Sequence, residues 1–258
     1  MLGVYDSGLG GLTVLRALRE AGVSADIAYF ADQAHLPYGD KTDEQLIGYL
    51  GDNLAFLESL GADAIVTACN TSCAVAQQRG WPATAIPVLD LIASAGASFA
   101  GTVHRRVAVV ATAATVRSGA YARAIRAAAP DVTVTEVAAP ALVPLVEAGA
   151  AGTPEARAAV AAVVAELPRH MDALIYGCTH YPMLDRWFAE LLPSVARIDP
   201  ATAQAAATMQ LAASSGGRAF TTYYTNGDPE RFAAAIRGWL GVPASAPLAV
   251  EHRAPAVP

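Results

Sequence analysis

Apolar and polar positions along this chain fall into short blocks that predict strands and helices in alternation. Leu2–Asp6 reads as a buried strand and Ser7-Gly8-Leu9-Gly10-Gly11 as a turn. Leu12, Leu15 and Leu18 lie on one face of a helix over Leu12–Ala21, with Gly22 as its stop. Asp26–Phe30 is the next strand, and Ala31–Lys41 is a polar loop. Thr42 and Gln45 have capping-box spacing, opening a helix that carries Leu46, Leu50, Leu54 and Leu57 and ends at Gly61. A strand through Ala64–Thr67, a helix through Ala74–Gln78 and a strand over Pro87–Leu91 follow. Ala93–Thr102 is small and polar and reads as a crossing. Strands at Val107–Ala111, Val132–Val137 and Ala173–Gly177 and helices at Leu142–Ala148 and Pro154–Leu167 come next. After Ile198-Asp199 the pattern gives a helix over Ala203–Ala213, a strand over Phe220–Thr225 and a helix capped by Asp228-Pro229. The proline-bearing tail from Val242 reads as loosely ordered. Strand–helix alternation of this kind predicts parallel sheets with covered faces.

Two of these strands end alike. Ala64-Ile65-Val66-Thr67-Ala68-Cys69-Asn70-Thr71 and Ala173-Leu174-Ile175-Tyr176-Gly177-Cys178-Thr179-His180 each run into a cysteine followed by small polar residues, with the cysteines 109 positions apart. Gly3-Val4-Tyr5-Asp6-Ser7 aligns loosely with Ala108-Val109-Val110-Ala111-Thr112, and Val88-Leu89-Asp90 with Arg197-Ile198-Asp199. An internal period changes the expected fold. It becomes two pseudo-symmetric α/β lobes, each a mostly parallel sheet flanked by helices, with the active site in the cleft between them. The boundaries expected are 1–92 plus 205–258 for the first lobe and 93–204 for the second.

Composition narrows the function. With 258 residues of which 54% are hydrophobic, two cores are feasible. Charged residues are only 16% and the net charge is −6, which argues against nucleic acid, whose phosphates need a basic face. No apolar stretch has the length of a membrane span, and the N-terminus enters a strand with no secretion signal. Three cysteines suit no disulfide framework, so a cytoplasmic location with reduced thiols is expected.

Cys69 and Cys178 are the leading candidates for chemistry. Free cysteines are often buried small hydrophobes, which suits Cys73. The other two stand at strand ends, where α/β sheets place their ligands. There a helix N-terminus is expected to lower the thiol pKa and make thiolate accessible. Zinc held by Cys69, Cys73, Cys178 and His180 is the rival reading; the single residue between Cys178 and His180 is tight for it, and no metal is expected. Gly8-Leu9-Gly10-Gly11-Leu12-Thr13 only partly matches a dinucleotide fingerprint, with Thr13 in place of the third glycine. It serves equally as a tight turn or as a backbone approach to a small anion. His180 stands two residues from Cys178, where an imidazolium can stabilise thiolate. Asp6 stands at a strand end beside the expected place of Cys69, and Glu147 by default is a solvated helix charge.

Seven segments in order, from Asp6-Ser7-Gly8-Leu9-Gly10-Gly11-Leu12-Thr13 and Pro37-Tyr38-Gly39, through Ala68-Cys69-Asn70-Thr71, Ala111-Thr112-Ala113-Ala114-Thr115 and Val143-Pro144-Leu145-Val146-Glu147, to Gly177-Cys178-Thr179-His180-Tyr181-Pro182 and Thr225-Asn226-Gly227-Asp228-Pro229, resemble the glutamate racemases of the cofactor-independent aspartate/glutamate racemase superfamily. The resemblance implies that Cys69 and Cys178 are the acid/base pair, assisted by Asp6, Glu147 and His180. It implies that Ser7, Tyr38, Gly39, Asn70, Thr71, Thr115 and Thr179 hold the amino acid. Asp32 matches an acidic position of the family. The chain departs from the family pattern at Asp90-Leu91-Ile92, Ala139-Pro140 and Pro200. The implied activity is interconversion of L- and D-glutamate without a cofactor, supplying D-glutamate for peptidoglycan. Racemisation of a related amino acid, or a decarboxylase or cis–trans isomerase of the same fold, are the alternatives, and an amino-acid-binding protein with inert thiols is the non-enzymatic one. The expected partner is the small molecule glutamate, with no nucleic acid and no membrane. The sequence allows a homodimer without fixing the oligomeric state.

Overall fold

The computed structural model describes residues 1–212, 217–243, 245–246 and 248–254. The chain begins β1 (Leu2–Asp6), α1 (Leu12–Glu20), β2 (Ile27–Ala31), α2 (Asp43–Ser59), β3 (Ala64–Thr67), α3 (Asn70–Arg79), β4 (Val88–Asp90) and α4 (Leu91–Ala97). It continues through β5 (Arg106–Ala111), α5 (Ala113–Ser118), α6 (Ala120–Ala128), β6 (Thr133–Ala138), α7 (Leu142–Glu147) and α8 (Pro154–Glu166). Next come β7 (Ala173–Gly177), α9 (Asp185–Leu191), β8 (Ala196–Ile198) and α10 (Pro200–Ala212). The last described elements are β9 (Thr221–Thr225), α11 (Pro229–Leu240) and β10 (Val250–His252).

Two parallel sheets result, flanked by helices. The first has the order β10-β9-β2-β1-β3-β4 and the second β6-β5-β7-β8. The four strands β2-β1-β3-β4 therefore have the same order as β6-β5-β7-β8, and the repeat seen in sequence is a repeat of topology. β3 and β7 are equivalent, each beside the first strand of its set, and each leads into one of the two cysteines. Central positions such as Val4, Val66, Val110 and Ile175 are wholly buried, as expected of strands covered on both faces. Each such side chain contributes roughly 1.5–3 kcal/mol by leaving water. One apolar cluster runs from Leu12 on α1 and Val66 on the first sheet to Val110 and Leu174 on the second, and α10 packs against both α1 and α4.

Local signals hold where side chains fix the backbone. The capping box forms: the Gln45 amide donates to Thr42 Oγ1 at 3.3 Å, and the Thr42 amide to Gln45 Oε1 at 3.1 Å. Asp228 caps α11 through the Glu230 amide at 2.9 Å. Other expectations are corrected. The crossing read over Ala93–Thr102 is in its first half the helix α4, because Asp90 accepts from the Ile92 and Ala93 amides at 2.8 and 3.0 Å. Within the tail Val250–His252 form β10, which pairs with β9 as Arg253 lies over the rings of Phe30 and Phe56, while positions 244, 247 and 255–258 of the tail lie outside the described residues. α5 and α6, absent from the sequence reading, are divided by Gly119 in the left-handed region, φ 63°. The expected helix end at Ala213 lies outside the described residues.

Candidate active site

A cleft of about 610 Å³, its open mouth included, receives the ends of both sets of strands. Cys69 caps α3 just beyond β3 and is 3% exposed; Cys178 follows β7 directly and is 5% exposed. Both line the cleft. From the first sheet Ser7, Asn70 and Thr71 join them, from the loop after β2 come Tyr38 and Gly39, and from the second sheet Thr179 and His180. Cys73 faces elsewhere, wholly buried with its sulfur 3.1 Å from Thr67 Oγ1. The three cysteines belong to three different apolar clusters. Among the described residues no three His, Cys, Asp or Glu side chains converge as metal ligands.

The surroundings of the two thiols differ. Cys178 Sγ is 3.6 Å from His180 Nδ1, and His180 Nε2 is 2.6 Å from Glu147 Oε1. Burial opposes charge on His180, but hydrogen bonds to Cys178 and Glu147 and their negative charge outweigh it. The imidazole is held well above its usual range. Burial likewise pushes the Glu147 carboxyl up, and the hydrogen bond to His180 reverses this and leaves it low. Glu147 is thus not a solvated helix charge. It accepts also from the Leu9 amide at 2.8 Å, so it ties the glycine turn to the second sheet.

Cys69 overturns one expectation. Burial and the nearby Asp6 carboxylate raise its thiol to about 12, and hydrogen bonds from Ser72 and Ser7 offset this only partly. The Ser72 amide at the helix N-terminus pulls it down, but loss of water and a like charge outweigh that pull. Asp6 is itself fully buried; its Oδ2 accepts from the Gly8 and Gly11 amides at 3.1 and 2.8 Å and its Oδ1 from Thr179 Oγ1 at 3.3 Å. Burial raises the Asp6 carboxyl, with the charge on His180 pulling the other way.

The glycine turn has a packing reason. A Cβ on Gly8 would strike the Glu147 carboxylate, and one on Gly10 would strike Thr179 Oγ1 and His180 Nδ1. The glycines let Glu147, Thr179 and His180 of the second half approach the backbone after β1, a use that neither the dinucleotide reading nor the bare tight turn contains.

The hydroxyls and amides fall into two groups. Thr71, Thr112 and Thr115 form a triangle, with Thr71 Oγ1 2.9 Å from Thr112 Oγ1 and Thr112 Oγ1 3.0 Å from Thr115 Oγ1. Thr112 reaches the cleft, whereas Thr115 is wholly buried behind it. Asn70 Oδ1 accepts from Tyr121 at 2.5 Å, while Asn70 Nδ2, buried at the cleft wall, has no partner among the described residues. On the other side the Tyr38 hydroxyl donates to Asp32 and accepts from Tyr5 at 2.9 Å, so only its ring faces the cleft freely. Thr112, Pro140 and Val143 line the cleft without having been singled out in the sequence as site residues. His180 is the one basic side chain among the lining residues.

Known proteins resemble this chain over most of its length. A glutamate racemase of Gloeobacter violaceus is 43% identical over 245 residues, covering 93% of this chain and 92% of the relative. The crystal structure of glutamate racemase RacE1 from Bacillus anthracis superposes with a TM-score of 0.87 at 28% identity, covering 100% of this chain and 98% of that one. Glutamate racemase from Francisella tularensis, solved with D-glutamate, gives 0.84 at 27% identity, covering 99% and 97%. Residues 16–208 match the family described as Asp/Glu/Hydantoin racemase, and the chain belongs to that family.

Proposed function

We propose that this protein interconverts L- and D-glutamate by proton transfer between two thiols, without a cofactor, and supplies D-glutamate for peptidoglycan. The observation that carries the reading is the pair of cysteines at the ends of the equivalent strands β3 and β7, both open to one cleft. One thiol removes the α-proton from one face and the other delivers a proton to the opposite face.

The unlike surroundings assign starting states. His180, held protonated by Glu147, supports a thiolate on Cys178. Cys69, raised to about 12, keeps its proton. In this state Cys178 is the base and Cys69 the acid, which following the family resemblance is the state that accepts L-glutamate. Reaction exchanges the two protonation states, and the product state accepts D-glutamate. The carbanion formed at Cα spreads charge into the α-carboxylate, where preorganised donors act most strongly. Asn70 Nδ2, which has no partner among the described residues, and the hydroxyls of Thr71 and Thr179 are the donors at hand. Ser7 divides its hydroxyl between Cys69 and substrate, Gly39 offers backbone, and Thr115 acts through Thr71 and Thr112.

The division of the chain into 1–92 plus 205–258 and 93–204 belongs to this reading, since it sets one thiol in each lobe. A reducing compartment such as the cytoplasm suits three free cysteines. Dialysed protein with a chelator, given L-glutamate, L-aspartate and other L-amino acids in turn, tests the proposal. Loss of optical activity with glutamate supports it; loss only with another amino acid, release of carbon dioxide, or binding without reaction sinks it.

A further inference from the structure

The turn after β9 places no residue in the cleft, yet it holds the loop that does. Leu36, Pro37, Tyr38, Gly39 and Asp40 form one wall of the cleft, and all five lie in the connection from β2 to α2. That connection is fastened from behind. Asn226, buried, accepts from the Ala34 amide through Oδ1 at 2.9 Å and donates to Asp32 Oδ1 through Nδ2 at 2.5 Å. The Thr225 hydroxyl donates to Gln33 Oε1 at 2.8 Å. A Cβ on Gly227 would stand 2.7 Å from Gln33 Cβ, so the backbone of the turn lies directly on the loop. We propose that Asn226 is a positioning residue for the reaction: by holding Asp32 and Ala34 together it sets the Tyr38–Gly39 wall of the cleft.

The hydrogen bonds give the Asn226 amide one orientation. A backbone N–H only donates, so Oδ1 faces Ala34 and Nδ2 is left to face Asp32. Asp32, wholly buried, passes the constraint on. Its Oδ2 accepts from the Tyr38 hydroxyl and from Asn53 Nδ2 of α2 at 3.1 Å, and its Oδ1 lies 2.7 Å from His35 Nδ1. Tyr38 is thereby fixed at the cleft. Gly39 beside it packs on the second half of the chain, where a Cβ would stand 3.3 Å from Thr112 Cβ. The helix that follows the turn does not depend on Asn226. Asp228 caps α11 through the Glu230 and Arg231 amides at 2.9 and 3.2 Å. A change at position 226 therefore acts on the loop and leaves the cap of α11 in place.

Asn226→Ala takes the acceptor from the Ala34 N–H and one partner from Asp32 Oδ1. A backbone donor that loses its partner inside the fold costs free energy, and movement of the loop outward to water relieves that cost. Substrate must then draw the loop back before Tyr38 and Gly39 meet it. Such a loss weakens ground state and transition state alike, so it falls on KM and not on kcat.

The effect on KM rests on the reading that Tyr38 and Gly39 hold the substrate; hydrogen exchange of the loop does not. Both are measured on the full-length protein. Asn226→Ala is expected to raise KM for glutamate at least fivefold with kcat within threefold of wild type. Peptides covering positions 33–40 are expected to exchange at least fivefold faster by mass spectrometry, with those of β1 and β3 unchanged. Asn226→Asp sets an oxygen against Asp32 Oδ1 where an N–H stood, and KM is expected to rise at least tenfold. In the double variant Asp32→Asn/Asn226→Asp, donor and acceptor trade places. Position 32 then supplies the N–H and keeps an oxygen for Tyr38 and Asn53, and an imidazole nitrogen such as His35 Nδ1 takes either role. KM is expected to return to within threefold of wild type. Unchanged exchange of the loop in Asn226→Ala, faster exchange throughout the protein, or a double variant no better than Asn226→Asp overturns the proposal. Faster exchange confined to the loop with unchanged KM upholds the positioning of the loop and refutes the reading that Tyr38 and Gly39 hold substrate. Should Asn226→Ala fail to fold, Asn226→Asp and the double variant decide by the same two measurements.

Discussion

Glu147→Gln removes one negative charge from the Cys178–His180–Glu147 line while keeping the shape of the side chain. The ion pair is well enclosed, with His180 2% and Glu147 16% exposed, so solvent screens it little. The substituted side-chain amide still offers an oxygen to the Leu9 N–H, and the loss is that of the charge on a hydrogen bond of 2.6 Å. A hydrogen bond to a charged group contributes about 1.5–3 kcal/mol. Leaving a buried ion without its partner costs about 3–5 kcal/mol unless the ion is neutralised. His180 can lose its proton, so the lower range applies, and about 2–3 kcal/mol of stability is expected to go. The sign against pH follows from the two shifts. His180 is raised in the folded state, so its contribution is complete below the unfolded value of about 6.5 and is lost as pH rises through the folded value. Glu147 is lowered, so its contribution is present above the unfolded value of about 4.3 and is lost as pH falls through the folded one. The difference between wild type and variant is therefore largest between about pH 5 and 6.5 and shrinks in alkali. Urea unfolding of both proteins at pH 6 and at pH 10 measures it, and at pH 6 a fall in Tm of roughly 4–10 °C accompanies it. On the proposed mechanism the variant also loses the imidazolium beside Cys178, and kcat is expected to fall at least tenfold at pH 8. A stability gap that is equal at both pH values, or larger at pH 10, refutes the charged pair.

Cys69→Ala or Cys178→Ala is expected to abolish racemisation, whereas Cys73→Ala keeps kcat within about threefold and costs roughly 1 kcal/mol through its small buried volume; activity and unfolding curves of the three variants check this. Asn70→Ala removes Nδ2 from the cleft wall, and loss of one charge-assisted hydrogen bond, about 1.5–3 kcal/mol, lowers kcat/KM for glutamate by roughly ten- to a hundredfold; the buried Tyr121 hydroxyl also loses its acceptor, which costs about 1–3 kcal/mol of stability, and kinetics together with urea unfolding check both.

What the sequence made legible was whatever nearby residues determine. The endings of β3 and β7 stood out because a short apolar, partly β-branched run stops at a cysteine within eight positions, and the capping box spans only Thr42 to Gln45. The duplicated strand order followed from the same alternation. α5 was hidden because Ala113–Ser118 is barely more than one turn, and α6 because its apolar face rests on few large side chains, Tyr121 and Ile125, among alanines and arginines. β10 was hidden because its pairing with β9 crosses most of α11 and a proline-bearing stretch. At the site, the contacts that decide chemistry join distant residues: Glu147 to the Leu9 amide, Thr179 to Asp6, Asn226 to Asp32. The rise of the Cys69 thiol has the same origin. A helix N-terminus is visible in sequence, but the burial that overrides it exists only once β1, β2, β3 and α2 are packed around Cys69.

The central claim is that two groups, one on each face of Cα, exchange the proton. It is tested most directly by a short incubation of protiated L-glutamate with the enzyme in D₂O, with the two enantiomers separated before mass analysis. With Cys178 removing the proton and Cys69 delivering deuterium, the first D-glutamate formed carries deuterium at Cα while the remaining L-glutamate stays protiated. Early D-glutamate that keeps the original proton, or L-glutamate that gains deuterium as fast as D-glutamate appears, would contradict two-thiol transfer.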